Sequence, residues 1–182
     1  MKSEDISRRS FLKRAAALSA AAAIPSFWIP SKANAMPGVP FVSANEKVRI
    51  AFIGIGNRGG EIAQELYKTG LCEVVALCDV DMGAPHTQKL ISMFPKVPRF
   101  QDFRQMFDKM ADKIDAVTVG VPDHAHFPIT IEAMAHGKHV YVEKPMARTF
   151  QEIEVMMRAE KKFGVVTQMG NQGHSEANYF QF

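Results

Sequence analysis

The sequence predicts an α/β fold, a doubly wound parallel sheet with helices on both faces. Three observations carry that expectation. From Val48 onward, short apolar runs alternate with amphipathic stretches at helical spacing, and strands that alternate with helices pair in parallel through right-handed crossovers. Runs such as Ile50-Ala51-Phe52-Ile53 and Val74-Val75-Ala76-Leu77 are continuously apolar, the pattern of strands covered on both faces. The unusual polar residues, Asp79, Asp123, His124, His126, Glu143, Lys144, Asn171 and Gln172, come directly after such runs. Ligands of open α/β sheets bind outside the carboxyl ends of the strands, so these sequentially distant groups should converge on one crevice.

The first 35 residues are of another kind. Ser7-Arg8-Arg9-Ser10-Phe11-Leu12-Lys13 resembles a twin-arginine export motif, an Ala-rich run covers Ala15 to Ile24, and Ala33-Asn34-Ala35 has the form of a signal-peptidase site. Residues 1–35 are therefore expected to be a signal peptide read by the twin-arginine export machinery. The mature chain would start at Met36 in the periplasm. A retained N-terminal anchor is the alternative, although Pro25 interrupts the apolar run well short of a membrane span. The formal net charge of +3 also originates here: without these residues 16 basic and 17 acidic side chains remain. That balance gives no basic surface for nucleic acid or anionic lipid. Residues 36–46 are a Pro-containing linker, and residues 47–174 make up the folded domain, long enough for a proper core.

Within that domain, Val48 to Ile53 reads as the first strand and runs straight into Gly54-Ile55-Gly56-Asn57-Arg58-Gly59, a G-x-G-x-x-G. A helix follows over 59–69, closed by Lys68 and Gly70, and a second strand over 73–79 ends in Asp79, 25 residues after Gly54. In this context the motif is the dinucleotide-binding Rossmann fingerprint. Gly54 makes the tight turn, Gly56 lets the backbone approach a pyrophosphate, and Gly59 brings helix and strand together. Free N–H groups at the helix start attract the phosphates, and Asp79 is placed to accept from an adenosine ribose. The competing readings are a methyltransferase-type nucleotide pocket and a Gly-rich turn that binds nothing.

The remaining elements follow in order. Residues 84–94 should be a helix, and Pro95, Pro98 and Arg99-Phe100 an irregular edge strand. Asp102 should cap a helix over 103–110, with Phe103, Met106, Phe107 and Met110 as a core stripe. A strand over 114–121, a loop over 122–126, and a helix from Pro128 at its first position to His136 come next. His139 to Val142 is a strand. Thr149 and Glu152 form a capping box on a helix that Gly164 stops, and 165–169 is the sixth strand. Cys72 and Cys78 flank one strand, about 20 Å apart, beyond the roughly 4.4–6.8 Å that a disulfide allows, so they are expected as buried thiols. Asp123, His124 and His126 lack a further ligand at suitable spacing, so no metal is expected. His86, His136 and His139 read as plain surface or structural residues.

On these residues the chain resembles the Gfo/Idh/MocA oxidoreductases over about residues 46–174. Gly54–Gly59 resembles the phosphate loop of that family. Val121-Pro122-Asp123-His124-Ala125-His126 is similar to its T-P-[DN]-x-x-H loop, with Val121 in place of the usual Thr, and Glu143-Lys144-Pro145 is similar to its E-K-P motif. The resemblance implies an NAD-dependent oxidoreductase acting on a sugar or polyol. Lys144 and Glu143 are its implied catalytic residues. Gly54, Ile55, Gly56, Asn57, Arg58, Gly59, Asp79, Pro122, His126 and Glu143 would bind the cofactor. NAD is expected over NADP, because Asp79 repels a 2′-phosphate and Val80, Asp81 and Met82 bring no cation to neutralise one. An NAD-using glycosidase of the same fold and a non-catalytic nucleotide-binding fragment are the alternatives. The resemblance also implies a second α/β domain and a homo-oligomer in the full-length protein. Residues 175–182 would be the start of that domain, so the chain is expected to be truncated.

Export should require both Arg8 and Arg9. An Arg8→Lys, Arg9→Lys double variant should stay in the cytoplasm on fractionation, and N-terminal sequencing of the exported protein should begin at Met36.

Overall fold

The fold is set by the placement of β1 (Val48–Ile53) at the middle of the sheet. The structure, a computed structural model, describes residues 47–174; the expected signal segment 1–35, the linker 36–46 and the stretch 175–182 lie outside the described residues. The other strands are β2 (Cys72–Cys78), β3 (Arg99–Phe100), β4 (Ala116–Val119), β5 (His139–Glu143) and β6 (Thr167–Gly170). They form one sheet in the order β3-β2-β1-β4-β5-β6, every pairing parallel. This is the doubly wound Rossmann order, in which the direction of winding reverses between β1 and β4.

Both faces are covered, which is why the strands are apolar throughout. Successive side chains of a strand point to opposite faces. Ala51 and Ile53 accordingly join one buried cluster with Met106, Phe107, Ile129, Met134 and Met156. Ile50 and Phe52 join the other with Ala63, Leu77, Leu90 and Phe94. The first cluster draws on helices α3 (Phe103–Met110), α4 (His126–Ala135) and α5 (Phe150–Phe163), and the second on α1 (Asn57–Lys68) and α2 (Gln88–Met93).

Several boundaries differ from those expected. α1 begins at Asn57 rather than at Gly59, so the third glycine lies inside the first turn. α2 is only Gln88–Met93. Residues 84–87 are held in a turn instead, with the Thr87 N–H and Oγ1 both donating to the Ala84 carbonyl, at 3.1 and 2.8 Å; such side-chain bonds compete with helix formation. α4 begins at His126, directly after a 3₁₀ turn over Asp123–Ala125, so Pro128 sits at the third helical position. Proline is tolerated there because first-turn N–H groups have no partner within the helix. β4 and β6 are shorter than expected. The capping box on α5 forms as expected: Thr149 Oγ1 accepts from Glu152 N, and Glu152 Oε2 accepts from Thr149 N. Gly164 ends that helix at φ 63°. Cys72 and Cys78 are buried free thiols. Burial, with help from the nearby Asp79 and Asp102 carboxylates, pushes the Cys78 thiol up to about 12, so it stays protonated and inert.

An ion pair between a buried carboxylate and a half-buried arginine lies at the opposite end of the sheet from the conspicuous polar residues. Asp115, 1 % exposed, precedes β4 and accepts three hydrogen bonds from Arg49 of β1: from its backbone N–H at 2.9 Å and Nε at 3.0 Å on one oxygen, and from Nη2 at 2.6 Å on the other. Burial works against the Asp115 charge, but the Arg49 hydrogen bonds outweigh it and hold the carboxyl below its ordinary value. A group with a depressed folded-state pKa stabilises the fold above its unfolded pKa, about 4 for a carboxylate, and loses that stabilisation as pH falls through the lower folded value. Asp115→Ala should cost about 1.5–3 kcal/mol at pH 7. The gap to wild type should narrow below about pH 4, as read by denaturant unfolding at each pH.

Candidate cofactor and active site

The carboxyl ends of β1, β2 and β4 meet at the glycine loop. Gly54 turns the chain at φ 77°, and its N–H donates to the Cys78 carbonyl at 2.8 Å. A Cβ on Gly59 would lie 2.0 Å from the Gly54 carbonyl oxygen and 2.9 Å from that of Gly120, so loop, helix and β4 are in direct backbone contact. Asp79, at the end of β2, accepts from the Ile55 N–H at 2.9 Å through Oδ2 and from Asp81 through Oδ1. It thereby fixes the loop as well as facing the cleft. Among the described residues no side chain caps the start of α1, whose N-cap is Gly56. Its first-turn N–H groups and positive dipole end are left for an anion.

A cavity of about 700 Å³ lies over this loop, within the range of ligand pockets of about 300–1,000 Å³. Asp79, Val80, Gln101 and Phe103 line one end, and Val121, Pro122 and Ala125 the other. A smaller cavity of about 360 Å³ adjoins it, lined by Asp123, His126, Glu143, Lys144 and Gln172. Arg58, Gly120 and Val121 line both. The structure therefore brings the glycine loop and Asp79 to the larger cavity and the residues after β5 to the smaller one.

Each residue of the smaller cavity has a distinct setting. The Glu143 side chain is nearly buried and accepts from Arg58 Nε at 3.4 Å, and its other oxygen accepts from the Lys144 backbone N–H at 3.3 Å. Glu143 thus orients the chain at Lys144 rather than its ammonium group, and the Lys144 side chain is exposed. The Lys144–Pro145 peptide is cis. Arg58 is partly desolvated, but its bonds to Glu61 and Glu143 raise its pKa and fix its charge. His126 is 1 % exposed and sits with Nδ1 2.6 Å from the Pro145 carbonyl and Nε2 2.8 Å from the Val121 carbonyl. A neutral imidazole has one N–H, so the ring donates to one of these carbonyls and packs against the other, lying between the loop after β4 and the loop after β5. Asp123 and His124 are exposed, with Nδ1 and Oδ1 3.9 Å apart, while His126 is buried. Among the described residues no group of three ligating side chains gathers.

Three features escape sequence reasoning. His86, which reads as a plain surface residue, lies so close to Gly56 that a Cβ there would meet its Cδ2 at 2.1 Å, and it lines the larger cavity. Phe103, assigned to the core stripe, lines the same cavity. The Arg58–Glu143 pair joins residues 85 apart, and no local pattern announces it.

A doubly wound sheet with an uncapped glycine loop, an acidic β2 end and a cavity of this size defines a dinucleotide-binding domain. The chain belongs to the Gfo/Idh/MocA family, described as the oxidoreductase family with an NAD-binding Rossmann fold, which matches residues 48–171. The matched segment is thus an NAD-binding Rossmann domain. It is 30% identical over 164 residues to an alpha-N-acetylgalactosaminidase of Shewanella oneidensis and, over the same length, to glycosyl hydrolase family 109 protein 1 of another Shewanella strain. In both comparisons 81% of this chain is covered and 35% of the relative, so the chain spans about a third of the length of the curated relatives it matches. Among solved structures it resembles a dehydrogenase from Chromobacterium violaceum, with a TM-score of 0.68 and 25% identity over 75% of this chain and 39% of that one. The fold also matches the WlbA dehydrogenase from Thermus thermophilus, crystallised with NAD and alpha-ketoglutarate, with a TM-score of 0.65 and 20% identity over 74% of this chain and 44% of that one.

The two inner glycines should separate stability from binding. Gly59→Ala sets a methyl group against backbone that cannot yield, and should cost about 1–3 kcal/mol or more in thermal or denaturant unfolding. For Gly56→Ala the three nearest atoms all belong to the ring of an exposed histidine, His86, which can move aside. The variant should keep the stability of the wild type to within about 1 kcal/mol while NADH binding, followed by fluorescence, falls steeply.

Proposed function

We propose that the protein is an NAD-dependent oxidoreductase that moves a hydride between a carbinol carbon of a sugar or cyclic polyol and nicotinamide. The observation that carries this reading is the adjacency of the two cavities, with Lys144 and Glu143 on the smaller one. NAD supplies the hydride acceptor when bound. The protein supplies position and proton handling. Asp79 lines the larger cavity, where the arginine of the lining, Arg58, is committed to Glu61 and Glu143, and an acidic end of the second strand favours a free ribose over a 2′-phosphate. The start of α1 holds the pyrophosphate, and Pro122 shapes the wall toward the nicotinamide. Lys144, exposed in the smaller cavity, hydrogen-bonds the reacting oxygen and exchanges its proton. Glu143, anchored by Arg58, sets the backbone from which Lys144 projects.

A second reading is favoured by the names of the curated relatives: an NAD-using glycosidase that oxidises, eliminates and re-reduces within one cycle. Both readings begin with oxidation of an alcohol, in which the neutral amine of Lys144 takes the hydroxyl proton as the hydride leaves, so the products tell them apart. Net NADH formation from a panel of free sugars supports the dehydrogenase. Release of nitrophenol from a nitrophenyl N-acetylgalactosaminide without net NADH supports the glycosidase.

Two measurements follow from the roles assigned. Calorimetry should give tighter binding of NADH than of NADPH; the reverse order removes Asp79 from cofactor selection. Lys144→Ala should lower turnover about 10²–10⁴-fold with NADH affinity nearly unchanged, because Lys144 lies at the other end of the cleft from Asp79. A near wild-type rate removes the lysine from the mechanism.

A further inference from the structure

We infer that Arg58 and Gln172 are positioning residues that hold Glu143 at the boundary between the two cavities, and so couple the phosphate loop to the nicotinamide end of the site. Arg58 belongs to the glycine loop by sequence, but its side chain spans away from it. Nη1 donates to Glu61 Oε2 at 3.0 Å, within α1, and Nε donates to Glu143 Oε1 at 3.4 Å, at the end of β5. With the Gln172 amide oriented to satisfy both of its ends, its oxygen accepts from Arg58 Nη2 and Nε, each at 3.0 Å, and its nitrogen donates to the Gly170 carbonyl at 3.2 Å. The Nε–H is shared between Glu143 and Gln172. One guanidinium therefore links α1, the end of β5 and the turn after β6, and only a planar fork can serve three acceptors in this way.

The space around Glu143 shows why its position needs holding. Its carboxylate lies in a slot so narrow that a Cβ on Gly170 would sit 2.6 Å from Glu143 Oε1 and 2.7 Å from Tyr141 Oη. A carboxylate with a nearly buried side chain needs a charged or hydrogen-bonding partner, and Arg58 and the Lys144 backbone N–H are the partners the structure provides. If the fork is lost, Glu143 loses its cation, and the backbone turn carrying Lys144 loses its anchor. The damage then falls on the smaller cavity, away from the end lined by Asp79.

This inference rests on the reading of the larger cavity as a dinucleotide site, and two ligands of different length test it. ADP reaches only the adenosine and phosphate half, whereas NADH also extends to the Glu143 end. Arg58→Lys keeps a positive charge beside the loop but loses the fork, and Gln172→Ala removes one acceptor without touching the loop. By calorimetry Gln172→Ala should weaken NADH about five- to tenfold, the scale of one hydrogen bond, and leave ADP within about twofold, whereas Arg58→Lys, which lies on the loop itself, should weaken NADH more than it weakens ADP. Combining Gln172→Ala with Glu143→Gln should weaken NADH less than the product of the two single effects, because both act through one group. Equal losses for ADP and NADH would mean that Arg58 only supports the loop, and unchanged NADH binding would mean that the bridge positions nothing; either result overturns the inference. Wild-type protein that binds neither nucleotide overturns the cofactor reading and this inference with it, and is told apart because the failure is then in the wild type itself.

Discussion

The site depends on one close approach: the backbone contact of Gly54, Gly59 and Gly120 where β1, α1 and β4 meet. A Cβ on Gly120 would lie 2.6 Å from the Gly59 Cα, so the first turn of α1 rests directly on the end of β4. This is the point where the strand order reverses, and a crevice opens there because neighbouring crossovers leave on opposite faces. The tight packing aims the uncapped helix start into that crevice. Looser packing would swing the helix dipole away from the place where two phosphates must sit.

From that contact the site extends in two directions, and each half is fixed by a different kind of interaction. On the β2 side the anchor is a carboxylate on backbone, Asp79 accepting from Ile55. On the β5 side the anchors are side chains from distant parts of the chain: Arg58 on Glu143, and His126 between the Val121 and Pro145 carbonyls. The first half presents N–H donors and a carboxylate, suited to a ribose and a pyrophosphate. The second presents an ammonium group, a carboxylate and an amide, suited to exchanging a proton with an alcohol. The Arg49–Asp115 pair braces the opposite end of β1 and β4, so the strands that carry the glycine loop are tied at both ends.

Much of this was legible in the sequence, for definite reasons. The strands could be read because burial on both faces leaves a continuous apolar run. The phosphate loop could be read because turn, backbone approach and helix packing each demand glycine at a fixed spacing. The capping box of Thr149 and Glu152 is a local pattern, and it formed where it was expected. What could not be read depends on contacts between distant residues. α2 is shorter than expected because Thr87 turns back on the Ala84 carbonyl with both its N–H and its hydroxyl, and helical periodicity does not record that competition. His86 gave no signal because its place over Gly56 is set by the path of the chain. His126 is expected to bind the cofactor, and it does line the smaller cavity, but its place between the Pro145 and Val121 carbonyls is set by two separate loops that no local pattern records.

The central claim is that one dinucleotide spans both cavities, from Asp79 to Lys144. Hydrogen–deuterium exchange with and without NADH tests it most directly, because the two halves lie in separate peptides. The account predicts slowed exchange both in the segment around Gly54–Gly60 and in the segment around Glu143–Ala147. Protection confined to the first segment, or absent from both, would contradict it.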